Sequence, residues 1–230
     1  MLAIIPARGG SKGVINKNIK LLQNKPLIAH TILEATKSKK IDRIIVSTDS
    51  EKIAEVSLKY GAEVPFLRPS NISLDNSPIL ENYKFALKNL EENGSDYKSF
   101  VALQPTSPFR NSEDIDEAVN LFLNNNVDSV ISFVKENHPI EWNRLVRKDK
   151  TFFEFMKSPI YNRQIYNEIF RFNGAVYVFK KSLIMMNKMY SENSMAYLMP
   201  ESRSLDIDTE DDFLFAEFLM AKIKNQKSNF

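Results

Sequence analysis

The chain has 230 residues, 43% hydrophobic and 26% charged, the proportions of one globular domain able to bury a full core. Its 31 basic and 29 acidic residues leave a formal charge of +2, too weak a field to hold a nucleic-acid backbone, so any cationic site must be local. Cysteine is absent, which excludes disulfides, thiolate metal centres and thiol nucleophiles. No run approaches the ~20 apolar residues of a membrane span, and the apolar start is too short for a signal-peptide core. A cytoplasmic protein that engages neither membrane nor nucleic acid is expected.

Leu2 to Ile5 read as a short apolar strand ended by Pro6, which offers no ladder N–H. The loop after it holds Arg8, Gly9, Gly10, Ser11, Lys12 and Gly13, with Lys17 and Asn18 just beyond. Glycines let backbone N–H groups turn inward at close range, and Arg and Lys add positive charge, so the loop suits a polyphosphate. Its spacing is neither of the two commonest nucleotide fingerprints, and a solvated turn is the plainer alternative.

Behind Pro26, the residues Ile28, Thr31, Ile32 and Ala35 recur at helical spacing. Arg43–Ser47 reads as a buried strand, and Thr48-Asp49-Ser50 as the N-cap of a helix carrying Ile53, Val56 and Tyr60, stopped at Gly61. Ala62–Phe66 is expected as a short strand. Ile79, Tyr83, Leu87 and Leu90 mark a helix, Ser99–Leu103 a strand, Ile115, Val119 and Phe122 a helix, and Ser129–Val134 a strand. This alternation predicts an α/β fold, a mostly parallel sheet with helices on both faces. Ligands in such sheets sit beyond the carboxyl ends of the strands, where ARGGSKG, STDS and QPTSP all fall.

Residues 136–172 break the rhythm with a cluster that includes Trp142, Phe152, Phe153, Tyr161, Tyr166, Phe170 and Phe172. Such a cluster needs a surface to pack on: either a flap over its own domain or an arm that makes a dimer, which we favour. Ala175–Phe179 returns to strand, Leu205–Ile207 is short and extended, and Phe213, Ala216, Met220 and Ile223 form a closing helix. The chain is therefore one domain, 1–230, with an inserted arm at 136–172.

Asp206 and Asp208 are separated by one residue, and alternation along an extended stretch sends both carboxylates to one face. Paired carboxylates repel and call for a cation, and Mg²⁺ takes one or two carboxylates together with phosphate oxygens. The alternative is an acid cluster that favours the dipole of the following helix. His30 and His138 have no partner pattern and receive no role.

Taken together, IIPARGGSKG with Lys17-Asn18, VSTDS, GAEVPFLRP, LQPTSPFR, Asn173-Gly174-Ala175 and LDIDTEDDF resemble, in order, the acylneuraminate cytidylyltransferases. The resemblance spans residue 2 to about 218. It implies a nucleotide-diphospho-sugar transferase-like fold with a dimerisation arm, and a reaction in which CTP and a nine-carbon 2-keto sugar acid give a CMP-sugar and pyrophosphate with Mg²⁺ (or Mn²⁺). It places Arg8, Ser11, Lys12 and Lys17 near the triphosphate, where cationic donors stabilise a departing pyrophosphate. Ser11 could equally be a turn hydroxyl bonding its own backbone. Arg68 and Asn18 would read cytosine and its ribose neighbourhood, with Asp75 close by, although Arg68 could also be a surface charge beside a proline turn. Asp206 and Asp208 would hold the metal, Asp208 as the catalytic carboxylate. Gln104, Asn173, Gly174, Arg163 and Gln164 would meet the sugar acid, with Arg171 the alternative for its carboxylate. N-acetylneuraminate is the expected acid; legionaminate, pseudaminate and 3-deoxy-octulosonate are the related choices. A CTP- or CMP-sugar-binding sensor without turnover is the reading from another class.

Overall fold

The computed structural model describes residues 1–11, 13–154 and 168–227. In chain order the strands are β1 (Leu2–Pro6), β2 (Leu21–Leu22), β3 (Lys25–Pro26), β4 (Arg43–Ser47), β5 (Ser99–Ala102), β6 (Ser129–Lys135), β7 (Arg144–Val146), β8 (Phe152–Glu154), β9 (Phe170–Lys180) and β10 (Ser194–Met199). The helices are α1 (Leu27–Lys37), α2 (Glu51–Lys59), α3 (Ile79–Glu92), α4 (Ser112–Asn125), α5 (Lys181–Met185) and α6 (Glu210–Lys227).

Six strands form one sheet in the order β10-β6-β9-β5-β1-β4. β1 pairs in parallel with both β4 and β5, and β6 with β10; only β9 runs against its neighbours, β5 and β6. The sheet is thus mostly parallel, as the alternation predicts. From β1 the chain steps outward to β4, then returns across the sheet to β5 on the other side of β1. That reversal opens a crevice beyond the carboxyl ends of β1 and β5, the usual ligand position in an open α/β sheet.

Alternation along β1 sends Ala3 and Ile5 to one face and Leu2 and Ile4 to the other, and every one of the four is fully buried. The first face packs under Ile28, Ile32 and Ala35 of α1 and Ile115, Ala118 and Val119 of α4. The second packs against Tyr83, Ala86, Leu87 and Leu90 of α3 and Leu183 and Ile184 of α5. Burying each such Leu or Ile stabilises the fold by roughly 1.5–3 kcal/mol, which fixes the strand ends that carry the site. A third cluster, Val14, Leu22, Leu27, Ile207, Phe213 and Ala216, joins the loop after β1 to α6.

Two expectations are corrected. Ala62–Phe66 is no strand; only the isolated bridges Ile45 to Glu63 and Thr48 to Leu67 attach this segment to the sheet. Leu205–Ile207 lies outside the sheet and is tied down by Ile207 N–H donating to Thr106 O at 2.9 Å. Asp49 and Ser50 do not cap α2 through their side chains. Asp49 instead accepts the Gly9 N–H at 2.9 Å, drawing the loop after β1 to the loop after β4.

Within 136–172, β7 and β8 form a short antiparallel hairpin. Val146 is 70% and Phe152 68% exposed, and Trp142 and Phe172 are about half exposed. Phe155, Tyr161, Arg163, Gln164 and Tyr166 lie outside the described residues, as does Lys12. Among the described residues no helix is long and apolar enough to cross a membrane.

Candidate active site

A cavity of about 400 Å³ lies at the crevice beyond β1 and β5. The loop after β1 forms one wall with Arg8, Ser11, Gly13, Lys17 and Asn18. Arg68, Asp75, Ser77, Ile79 and Asn82 form the opposite wall, Gln104 to Thr106 lie after β5, and Asp208 closes one end. The loops after β1 and β5 meet here because both strands end on the same side of the sheet, and the Arg68 N–H, donating to Thr48 O at 2.7 Å, brings its segment to the end of β4.

Two ion pairs cross between walls. Arg8 pairs with Asp75, and Lys17 Nζ donates to Asp208 Oδ1 at 3.0 Å and to Ile207 O at 2.7 Å. Lys17 is thereby anchored with its ammonium beside the carboxylate segment, although 190 residues separate Lys17 from Ile207. Asn18 is buried and donates from Nδ2 to Arg8 O at 2.9 Å, holding the turn that presents Arg8. Arg68 is also buried: Nε donates to Ser73 Oγ at 2.8 Å, and Asp49 lies 3.7 Å away. Burial pulls the Arg68 pKa down, Asp49 raises it, and Arg8 adds a further downward push. Arg68 is therefore a desolvated, oriented donor rather than a surface charge.

The two acidic residues have different surroundings. Asp208 is well exposed at the cavity, whereas Asp206 does not border it, and its Oδ1 is buried without a hydrogen-bond partner. Burial pushes the Asp206 carboxyl up, Thr106 pulls it down through a hydrogen bond, and the charge of Asp208 pushes it up again. An orphaned carboxylate oxygen next to a second carboxylate is a donor set that suits a hard divalent cation. No cluster of three or more His, Asp or Glu exists among the described residues, so remaining ligands would come from phosphate or water.

Next to Gln104, Gly174 has φ +75, and a Cβ there would lie 3.1 Å from Gln104 Oε1. The missing side chain lets Gln104 rest against β9. Asn173 does not line the cavity. Its Oδ1 accepts from Ser132 Oγ at 2.5 Å and Ala175 N–H at 3.2 Å, and its Nδ2 donates to Ser204 Oγ at 3.0 Å. Its amide is thus engaged inside the fold. Arg171 pairs with Glu136 on the arm side, 3.2 Å away. His30 Nε2 donates to Leu22 O at 2.9 Å.

Two residues of consequence carry no role in the sequence reading. Arg110, the last residue of the quoted LQPTSPFR, is 1% exposed. Its Nη1 donates to Gln104 O at 3.2 Å and Ala175 O at 2.8 Å, and its Nη2 to Thr31 Oγ1 at 2.6 Å. It thus locks α1, the loop after β5 and β9 together behind Gln104. Asn82 is a polar residue on the apolar stripe of α3, and that interruption of the pattern was its available signal.

A family model described as cytidylyltransferase matches residues 2–198. The CMP-N,N'-diacetyllegionaminic acid synthase of Legionella pneumophila is 38% identical over 96% of this chain and 96% of its own. The N-acylneuraminate cytidylyltransferase of Escherichia coli O18:K1:H7 is 39% identical over 99% of this chain, which spans about half (54%) of that longer relative. Among solved structures, CMP:2-keto-3-deoxy-manno-octonic acid synthetase complexed with CTP superposes with a TM-score of 0.73 at 14% identity, over 96% of this chain and 98% of the other, a likeness of fold. The chain belongs to the cytidylyltransferase family.

Proposed function

We propose that this chain transfers CMP from CTP to a sialic-type 2-keto sugar acid, N-acetylneuraminate first among them, and releases pyrophosphate. The observation that carries this reading is one cavity lined by Arg8 and Lys17 for phosphate, by Asp208 for a cation, with the buried Asp206 behind it outside the lining, and by Gln104, backed by Gly174, for a polyol.

Arg8, Ser11, Lys17 and, from the same loop, Lys12 would cradle the triphosphate, and the cationic groups stabilise charge as it builds on the leaving pyrophosphate. Arg8 and Lys17 already face carboxylates across the cavity, so phosphate oxygens would compete for donors that the fold has oriented. Arg68 and Asn18 would border the cytosine and ribose, with Asp75 beside them. Gln104 would orient the sugar acid, with Arg163 and Gln164 reaching it from the arm, and the anomeric hydroxyl attacks the α-phosphorus in line. The new oxygen–phosphorus bond forms as the bond to pyrophosphate breaks, and the hydroxyl proton is released. Asp206 and Asp208 would hold Mg²⁺, with Mn²⁺ as substitute, which when bound neutralises phosphate charge.

We further propose that the protein works in the cytoplasm as a homodimer, its exposed arm aromatics covered by a second copy. A second reading keeps the reaction and changes the acid to legionaminate, favoured by the Legionella relative, which matches this chain along nearly the full length of both.

Incubation with CTP and the acid should yield a CMP-sugar detectable by mass spectrometry, and CTP labelled at the α-phosphate should leave no label on the protein. A stable labelled protein would contradict direct displacement.

A further inference from the structure

We propose that Asn82 reads the pyrimidine base, pairing its amide with the exocyclic amine and ring nitrogen of cytosine. The inference rests on the CTP reading above and assigns a residue that reading leaves without a role.

α3 turns Ile79 and Asn82 toward the cavity wall, while Tyr83, Ala86, Leu87 and Leu90 enter the core. Asn82 is 2% exposed, and neither its Nδ2 nor its Oδ1 has a hydrogen-bond partner. Leaving both halves of a buried amide unpaired is unfavourable, whereas a leucine would fill similar space without that penalty. The Tyr83 hydroxyl is also unpartnered, but its ring packs on Phe100 and Phe179 and does not border this cavity. Asn82 therefore stands apart as an unsatisfied donor–acceptor pair at a ligand wall.

The chemistry narrows what it pairs with. Phosphate accepts only, and an amide oxygen beside it would repel; Arg8 and Lys17 already serve that need. Cytosine presents an N4–H donor next to the N3 acceptor, which matches one amide oxygen and one amide N–H. Arg68 is donor-only, and Asn18 has one of its two Nδ2 hydrogens committed to Arg8 O, whereas the whole Asn82 amide is uncommitted. Asn82 supplies both.

The test measures binding of CTP, and of its analogue lacking the 4-amino group (pyrimidin-2-one riboside triphosphate), to wild-type protein, Asn82→Leu and Asn82→Ala. Wild-type protein should prefer CTP, and Asn82→Leu should weaken CTP binding by roughly ten- to a hundredfold while bringing the two nucleotides to near-equal affinity. The melting temperature of nucleotide-free Asn82→Leu should equal or exceed that of the wild type, which a merely structural asparagine would not allow; Asn82→Ala reports the same binding loss if leucine overfills the site. Equal weakening of both nucleotides would overturn base reading in favour of ribose contact. Unchanged CTP affinity in both variants would overturn the inference alone. Wild-type protein that binds no CTP would overturn the cytidylyltransferase reading and the inference together.

Discussion

Gly13 and Asp208 meet backbone to backbone: a Cβ on Gly13 would lie 2.1 Å from the Asp208 carbonyl oxygen. No side chain fits in that space, so glycine here serves close approach. The contact presses the phosphate-type loop against the carboxylate segment and brings Lys17 within reach of Asp208. Gly13→Ala must push the two segments apart by an ångström or more. We expect kcat/KM to fall by roughly a hundredfold or more, the scale set by misplacing groups at a reacting centre. Circular dichroism should report an intact fold, because the core on both sheet faces is untouched. Wild-type kinetics in this variant would mean the contact has no bearing on the site.

Asp208→Asn keeps shape and removes charge. If Asp208 helps hold a divalent cation, kcat should drop by about two orders of magnitude, the equivalent of roughly 2.7 kcal/mol, while CTP binding survives. Chelation of divalent ions should abolish wild-type turnover and leave little further to lose in the variant. Full turnover by Asp208→Asn at limiting Mg²⁺ would move the metal site elsewhere.

Gly174→Ala faces two penalties, a φ of +75 that L residues rarely adopt and a Cβ 3.1 Å from Gln104 Oε1. Displacing Gln104 should raise the KM for the sugar acid by roughly tenfold and leave CTP affinity within about twofold, the former corresponding to the loss of about one hydrogen bond. Steady-state kinetics in each substrate separates the two, and an effect on CTP alone would place Gln104 on the nucleotide instead.

Arg110 is a positioning residue behind that glutamine. Its guanidinium is fully buried, which lowers its pKa to about 10, so it stays charged at neutral pH. Arg110→Lys retains charge but cannot span two carbonyls and a hydroxyl with one ammonium. We expect a loss of about 2–4 kcal/mol of stability, read by denaturant unfolding, from carbonyls left unpaired in the core. The surviving folded enzyme should show a raised sugar KM. Equal stability of Arg110→Lys and wild type would show that the three bonds are dispensable.

For the arm, sedimentation should report a dimer, and Phe152→Glu should shift it toward monomer. Val146 and Phe152 are too exposed and too close together for that charge to be neutral if a second copy covers them. A wild-type monomer at micromolar concentration would remove the dimer from the account.

Local pattern carried much of this fold. Buried runs such as Arg43–Ser47 and Ser129–Val134 could only be strands of a covered sheet, and glycine with lysine after a strand pointed to the loop that lines the cavity. What depended on distant neighbours stayed hidden. Ala175–Phe179 reads as a strand in any direction, and only its lodging between β5 and β6 makes it antiparallel. Asp49 looks like a helix cap because its actual partner, the Gly9 N–H, lies 40 residues away. Strand alternation would set Asp206 and Asp208 on one face, but without a strand there one carboxylate is buried and the other exposed. The Asn173 amide faces the interior because Ser132 and Ser204 wait for it there, which no spacing rule announces.

The measurement closest to the central claim is pyrophosphate release by the purified protein with Mg²⁺ and each of the common nucleoside triphosphates, against a panel of 2-keto sugar acids. The account predicts release with CTP and a sialic-type acid together, and none with either alone or with the other triphosphates. A folded protein that binds CTP yet releases no pyrophosphate with any acid would contradict it and leave a nucleotide sensor in its place.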